Sequence, residues 1–416
     1  PVKPIDPAYF DRRIGFHHGH CIADTKAEGT DQTVLERMID MGVNIIACHE
    51  QWQPVQNYGF TDKPDDVKRN VQAAHDRGVK CLAYFGYELA SLAPEWGEHA
   101  DNWLVRNLDY VPAGGWRREP HQRDYIVCPN SGWQDTLLKN MQHAVERCGF
   151  DGVYLDQTNV AFGCACEEHG CGWRDADGKL HIHFPIRAAR NLMKRIHEFL
   201  HARGGIIDLH QSSGCVMPTM SFADSYFDTE HLIWLKKYAE DPYNAVGLET
   251  MRAAFMGWNW GVPAEYMACS SSWAFTLTHG IINRPIDRTP DDTDKLLWGE
   301  LNAFGWGQAE FLGYWKNGHM LQVNHHMLRA STFLRTDIAG EVHAMLILGN
   351  LTGQNQEADA IDAKLMMDFD ALGMDASTVT LEKVISGEGA VMDGNAITCT
   401  LAPMGTGLFV VHAKAK

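Results

Sequence analysis

Three acidic residues follow short apolar runs closely, in positions that could support acid–base chemistry. Asp156 closes the apolar run 152–155, and Asp228 and Glu230 follow the run 225–227. In a barrel of parallel strands, side chains at the strand carboxyl ends project into one shared bowl. Two carboxyl groups facing each other there can cleave a glycosidic bond, one as proton donor and the other as nucleophile or base. Either member of the 228–230 pair could instead cap the helix that follows.

We therefore predict Asp156 as the nucleophile or as a stabiliser of the transition state. Glu230 is the predicted general acid/base, and Asp228 is the alternative for that role. The arrangement is possible only if the strands that carry these residues enter the wall of the same barrel.

A second group of residues has the chemistry needed to hold a sugar. Imidazoles and amides at strand ends can hydrogen-bond to hydroxyls, aromatic faces cover the apolar faces of sugar rings, and an arginine can bind a carboxylate or sulfate. The predicted substrate-binding residues are His18, His20, His49, Glu50, Trp52, His210, Gln211, Trp273 and Arg284. For each of them an ordinary structural role is the competing interpretation. His17, His18, His20 and the pair His49-Glu50 could alternatively bind a metal.

Four residues of a short loop have the ligand types that zinc prefers. They are Cys164, Cys166, His169 and Cys171. Thiolate sulfur and imidazole nitrogen suit a structural zinc ion, although four ligands within eight residues would strain the loop. One disulfide or free thiols are the alternatives. No other cofactor is predicted, and none is required for a reaction carried out by two carboxyl groups.

The elements that would position these residues alternate between short apolar runs and longer helical patterns, which is typical of a parallel sheet. We predict an α/β fold, a (β/α)₈ TIM barrel in residues 1–316, followed by a C-terminal antiparallel β-sandwich domain in residues 317–416. The predicted barrel strands are 13–16, 44–48, 80–84, 152–155, 205–209, 225–227, 264–269 and 275–282. The predicted helices include 31–41, 64–77, 132–148, 186–201 and 291–304. The predicted C-terminal strands are 341–350, 378–385, 396–401 and 407–412.

Composition excludes several classes of partner. The 416-residue chain has 53 acidic and 36 basic residues and a formal net charge of −17, which disfavours binding to nucleic acid or to an anionic membrane. No apolar run reaches the roughly 20 residues that span a bilayer, and the N-terminus lacks the form of a signal peptide. We expect a soluble protein of the bacterial periplasm or cytoplasm with a carbohydrate partner. The sequence leaves its oligomeric state open.

The Gly-Val-Tyr-Leu-Asp strand at 152–156, the later acidic strand and the C-terminal β domain resemble the α-galactosidase and α-amylase superfamily of glycoside hydrolases. More closely, the chain resembles a poorly characterised group of bacterial barrel proteins in which a Cys/His loop with His-Gly-Cys-Gly follows the strand-four aspartate. Here that motif is 169–172. The resemblance implies that Asp156 is the nucleophile, that Asp228 or Glu230 is the acid/base, and that the mechanism is retaining.

The function that follows is cleavage of a glycosidic bond in an oligosaccharide or polysaccharide. Because barrels host many chemistries, two alternatives remain. One is a metal-assisted polysaccharide lyase that acts on a uronate-containing glycan with a His or Tyr base. The other is a carbohydrate-binding barrel without catalysis.

Overall fold

The computed structural model describes residues 3–55, 59–118, 121–156, 160–211, 215–228, 247–254, 260–267, 273–284, 292–352 and 360–416. These residues belong to two compact units. The first contains the described parts of Pro1–Asp228 and Met256–Pro263, and the second contains those of Thr229–Phe255, Ala264–Pro285 and Pro290–Lys416. The predicted boundary between residues 316 and 317 stays a prediction.

Eight strands form one sheet in the order in which they occur along the chain. Neighbouring strands in this sheet run parallel, as between the first and second strands and between the fourth and fifth. This is the predicted (β/α)₈ barrel topology, and a C-terminal pair of antiparallel sheets completes the predicted fold class. Strands β1 to β8 are Ile14–His18, Ile45–His49, Lys80–Gly86, Gly152–Asp156, Ile206–Gln211, Ser225–Asp228, Ala264–Met267 and Ile282–Arg284.

Helices occupy the connections between the barrel strands, and one more helix follows the last strand. Among the described residues they are α1 to α9: Val34–Asp40, Pro64–His75, Trp96–Trp103, Trp133–Cys148, Ile186–His201, Met217–Met220, Leu248–Ala254, Trp273–Leu277 and Asp292–Phe304. Thr33 caps α1 by accepting from the Glu36 amide, and Glu36 reciprocates, the capping-box arrangement that fixes a helix start. None of the described helices is long and apolar enough to cross a bilayer.

The eighth strand differs from its prediction. We predicted a strand at 275–282, whereas the chain forms helix α8 over Trp273–Leu277 and then β8 over Ile282–Arg284. All five residues of α8 are buried. A short run that is buried on every side has neither the alternation of a half-exposed strand nor the period of a surface helix, so its pattern does not distinguish the two.

An antiparallel sheet that the sequence did not predict lies between β3 and α4. Its strands are Glu88–Ala90, Gly114–Arg118 and Gln122–Ile126, with the last one in the middle. The connection after β4 contains a smaller hairpin, in which Trp173–Arg174 pairs with Leu180–His181. Both insertions follow strand carboxyl ends, the face on which barrel enzymes build their sites.

The C-terminal part consists of two antiparallel sheets. Strands β9 to β17 are Glu310–Leu312, Leu321–Val323, Leu328–Thr336, Glu341–Asn350, Ile361–Met367, Thr380–Ser386, Glu388–Asp393, Ala396–Leu401 and Thr406–Lys414. The sheet orders are β9-β11-β12-β17-β14 and β10-β13-β16-β15. One buried cluster draws side chains from both sheets, including Leu346 and Phe409 from the first and Leu365 and Ile397 from the second. Alternate residues of two facing sheets thus share one core, as in a β-sandwich.

Candidate active site at the carboxyl end of strand four

Asp156 lies at the end of β4, and the strands on either side hold its carboxylate. In the register of the sheet it pairs with Gly86 of β3 and with His210 of β5. The Tyr84 hydroxyl donates to Asp156 Oδ2 over 2.9 Å, and His210 Nδ1 lies 3.1 Å from Oδ1. Each carboxylate oxygen therefore has a partner, which fixes the orientation of the group before any ligand binds.

The surroundings of Asp156 favour its charged form. Burial alone raises the pKa of this carboxyl, but the charge and hydrogen bond of His210, the charge of His49 and the Tyr84 hydrogen bond outweigh it, and the pKa lies below its usual range. Burial and the neighbouring carboxylates, Asp156 foremost, raise the pKa of Tyr84 well above its usual value. At neutral pH the tyrosine is therefore a donor and the aspartate an acceptor, the states that a nucleophile and its support require.

Aromatic rings surround the carboxylate. The rings of His49 and Tyr84 have centroids 4.0 Å apart, and Tyr84 lies 5.8 Å from Tyr154 on the neighbouring strand. His210 stacks on Phe227 at 4.4 Å. Together these rings, two of them imidazoles, cover part of the carboxylate and keep water from it, so electrostatic interactions with His49 and His210 are stronger than in water.

Of the two predicted acid/base candidates, Asp228 belongs to the described part of the chain and Glu230 does not. Asp228 is the last residue of β6, and its backbone pairs with Gln211. The residue level with Asp156 across His210 is Phe227 rather than Asp228. Glu230 lies outside the described residues. The pairing of Asp156 with either acid stays a prediction.

The ends of β1 and β2 bring three of the predicted binding residues together. His18 pairs with His49 in the strand register, and His49 Nδ1 is 3.4 Å from Glu50 Oε1. One ligand atom from each of His18, His49 and Glu50 lies within 4.8 Å of the others. Glu50 has a φ of 31°, and a positive φ in a residue other than glycine is a strain that often marks a functional position. The trio could bind a cation or sugar hydroxyls.

A cleft of about 540 Å³ opens beside β1. Its lining includes His17, His18, Lys26, Glu28 and Arg37. Two basic side chains, one carboxylate and two imidazoles give it a mixed polar surface that suits a hydroxylated ligand. His18 therefore borders both this cleft and the His49-Glu50 pair.

Other predicted binding residues in the first unit are buried. His20 is buried, and its Nε2 lies 3.0 Å from Asp66 Oδ2. Trp52 is 1% exposed, and its indole nitrogen donates to the Tyr84 carbonyl over 3.3 Å. A ring covered by protein has no free face, so the predicted stacking of Trp52 on a sugar does not fit this position. Gln211 is fully buried in β5.

Trp273 and Arg284 belong to the second unit, where both are buried. Trp273 begins helix α8. Arg284 Nε lies 3.8 Å from Glu265 Oε2, and each side chain is almost fully covered. The guanidinium of Arg284 thus lies beside a carboxylate of the protein itself, and its predicted binding to a carboxylate or sulfate of the substrate stays a prediction.

The Cys/His loop forms a compact cluster with a membership different from the predicted one. The ligand atoms of Cys128, Cys164, His169 and Cys171 all lie within 4.8 Å of one another. Cys166 is not one of these four residues, and its sulfur accepts from the Tyr110 hydroxyl over 3.7 Å. A loop of eight residues does not wrap all four ligands around one point, and the preceding connection supplies Cys128 instead.

The sequence did not identify two aromatic residues of this site, Tyr84 beside Asp156 and Phe227 beside His210. Tyr84 was assigned only to a strand, and Phe227 only to the run before Asp228. Both lie on strands next to those of Asp156 or His210. Phe227 lies level with His210 near the end of its strand, and that position was the available signal. Tyr84 lies two residues before the end of β3, level with Tyr154, and gave no such signal.

Tyr84→Phe is expected to raise the pKa of Asp156, because it removes a hydrogen bond that favours the carboxylate. The acid limb of kcat/KM then moves to higher pH, and kcat falls roughly 10- to 100-fold, as expected for a hydrogen bond to a charged group. A pH profile of both proteins measures this. Tyr9→Phe is the control, since Tyr9 is a buried tyrosine of the N-terminal turn Pro7–Asp11. Identical profiles for Tyr84→Phe and the parent would contradict the role of the hydroxyl.

No family model and no curated protein matches this chain in sequence. Solved structures do match in fold. They include a maltogenic α-amylase from Thermotoga neapolitana (TM-score 0.59, 11% identity, 96% of this chain and 98% of that one). An α-amylase from Geobacillus thermoleovorans, complexed with acarbose, matches with TM-score 0.59, 11% identity and coverage of 97% and 98%. A GH36 α-galactosidase from Geobacillus stearothermophilus matches with TM-score 0.57, 10% identity and coverage of 97% and 56%. The chain therefore has the barrel-plus-sheet fold of these glycoside hydrolases.

Proposed function

We propose that this protein is a glycoside hydrolase in which Asp156 is the nucleophile. The observation that carries the proposal is the state of Asp156: a carboxylate with a lowered pKa, held by Tyr84 and His210 at the carboxyl end of the fourth barrel strand. A nucleophile of this kind must be ionised and oriented before the substrate arrives. The fold neighbours named as α-amylases and an α-galactosidase support the same reaction class.

The proposed acid/base is Glu230, with Asp228 as the alternative. A retaining enzyme needs its second carboxyl group roughly 5 Å from the nucleophile, and an inverting one needs roughly 6.5–9.5 Å. We propose the retaining mechanism. In it Asp156 attacks the anomeric carbon while the acid protonates the departing oxygen, and water then cleaves the glycosyl–enzyme ester with the same acid acting as base.

The experiment is a screen of aryl glycosides and polysaccharides, followed by variants of the three acids with the substrate found. An activated dinitrophenyl leaving group departs without protonation, so a variant of the acid/base keeps its first step on that substrate and loses it on a natural glycan. We expect this behaviour from Glu230→Gln or Asp228→Asn, and loss of activity on both substrates from Asp156→Asn. Full turnover in all three variants would overturn the proposal.

A metal-assisted lyase is the second candidate, and the His18–His49–Glu50 trio favours it. A cation there could acidify the proton beside a uronate carboxylate, and elimination would leave an unsaturated sugar. The product separates the two candidates: a lyase creates a carbon–carbon double bond that absorbs in the ultraviolet, whereas a hydrolase creates a reducing end alone. Ultraviolet-absorbing product from a uronate polymer, lost in His49→Ala, would replace the hydrolase proposal.

A further inference from the structure

The strongest cluster outside the Asp156 site is the one formed by Cys128, Cys164, His169 and Cys171. The sulfur atoms of Cys128 and Cys171 are 3.6 Å apart, and Cys164 Sγ is 3.2 Å from His169 Nε2. Two thiolates on one tetrahedral zinc ion lie about 3.8 Å apart, and a thiolate and an imidazole nitrogen about 3.6 Å, given the usual bond lengths. Both observed distances are within half an ångström of that geometry.

The histidine is already oriented as a metal ligand. His169 Nδ1 lies 2.8 Å from the backbone oxygen of Asn102. A carbonyl oxygen only accepts, so Nδ1 carries a hydrogen and Nε2 is the ring nitrogen available to bind a metal. Nε2 lies beside the sulfur of Cys164. Metal-bound histidines are held in the same way, by a carbonyl or carboxylate on the ring nitrogen that does not bind the ion.

The four ligands come from two separate connections of the barrel. Cys128 follows the strand Gln122–Ile126 of the inserted sheet. The other three ligands lie in the connection between β4 and α5. Backbone bonds already fold the second connection: Cys171 and Gly172 donate to the Cys166 carbonyl over 3.0 and 2.7 Å. The turn places Cys171 back toward Cys164, which explains how two ligands seven residues apart reach the same point.

The three cysteine ligands lie within a small buried cluster. The buried cluster around the ligands has six members, of which four are cysteines and the others are Val105 and Ile126. A small core of this kind gains stability from a metal, as small domains do. Close by, Tyr87 of the first connection stacks on Phe162 of the second at 5.4 Å, so a metal link here would join the two connections next to a second contact between them.

We propose that Cys128, Cys164, His169 and Cys171 form a structural zinc site that fastens the connection after β3 to the connection after β4. Three thiolates and one imidazole fill a tetrahedral shell and leave no position for substrate or water, which is the form of a structural site and not of a catalytic one. Binding releases the thiol protons, and no bond of the substrate is involved.

The test measures zinc in the full chain, purified without chelator, by mass spectrometry of the metal. We expect about one zinc per chain in the parent protein and a near-complete loss in Cys128→Ser. Cys166→Ser is the matched control, because it removes a buried cysteine from the same loop that is not part of the cluster. It should keep its zinc. Zinc retained in Cys128→Ser but lost in Cys166→Ser would overturn the ligand assignment.

Two further measurements keep the proposal testable if Cys128→Ser does not fold. Cobalt in place of zinc should give the visible absorption bands of a tetrahedral thiolate site in the parent and in Cys166→Ser. Removing the metal with a chelator should lower Tm by more than about 5 °C and expose the 160–183 connection to proteolysis. A parent chain without metal after growth in zinc, with a mass two hydrogens lower that reductant restores, would show a disulfide instead and overturn the proposal.

Discussion

Asp156→Asn is expected to lower kcat by roughly a thousandfold or more, while the protein remains folded. The amide keeps the size of the side chain but has no negative charge to attack an anomeric carbon. It also changes one acceptor oxygen into a donor, which leaves either Tyr84 or His210 without its present partner. Steady-state kinetics on the best substrate of the screen, together with circular dichroism, measure the effect.

Asp151→Asn is a closely matched control for this substitution. Asp151 precedes the same strand, its side chain is 24% exposed against 22% for Asp156, and it also pairs with a histidine, His75. It lies at the opposite end of β4, where barrel residues serve stability and not catalysis. We expect Asp151→Asn to lower Tm and leave kcat within a few-fold of the parent. Equal losses of kcat in the two variants would show that the charge at Asp156 has no special role.

Anion rescue identifies the role of Asp156 more closely. In Asp156→Gly the space of the carboxylate is open, and azide can attack the activated dinitrophenyl glycoside in its place. A retaining enzyme whose nucleophile is Asp156 should then regain turnover and release a glycosyl azide with inverted configuration. Rescue in Glu230→Gly with retained configuration is the pattern expected for the acid/base. If azide restores nothing in Asp156→Gly, the retaining mechanism through this residue is wrong.

The sequence predicted those parts of the fold in which the residue pattern is compatible with only one type of secondary structure. Seven of the eight predicted barrel strands coincide closely with observed strands, whereas the eighth shares only residue 282 with the observed one. The observed fourth strand is one residue longer than predicted and includes Asp156. Buried parallel strands are continuous apolar runs ending in polar residues, so the end of the run also locates the site. Asp156 and His210 could therefore be placed together before their contact was known.

The parts that could not be predicted depend on contacts between distant residues. The ring of Tyr84 supports Asp156 only because β3 and β4 are neighbours in register, and nothing local to residue 84 shows this. Cys128 lies 36 residues before Cys164 and joins the same cluster only through the inserted sheet. The residues of α8 are all buried, so the segment shows no alternation of polar and apolar residues that would distinguish a helix from the predicted strand.

Gly152→Ala is expected to destabilise the protein by more than roughly 3 kcal/mol, a large effect for a single methyl group. Gly152 is the first residue of β4 and pairs with Ile206 of β5. A Cβ at this glycine would lie 2.6 Å from the Ile206 nitrogen and closer still to its carbonyl oxygen. These are backbone atoms of a paired strand, so no side-chain rotation relieves the clash, and β4 must separate from β5. Thermal and urea unfolding measure the loss.

Gly97→Ala provides the matched control for that loss. Gly97 lies in helix α3, and no atom beyond its immediate helix neighbours would come within 4 Å of an added Cβ. Alanine is a better helix former than glycine by up to about 1 kcal/mol, so this variant should be as stable as the parent or more so. Because β4 carries Asp156 against His210, a folded fraction of Gly152→Ala should also lose activity beyond its loss of stability. Parental Tm and parental kcat in the Gly152→Ala variant would mean that β4 and β5 are not held in this register, and the geometry proposed for the carboxylate would fail with it.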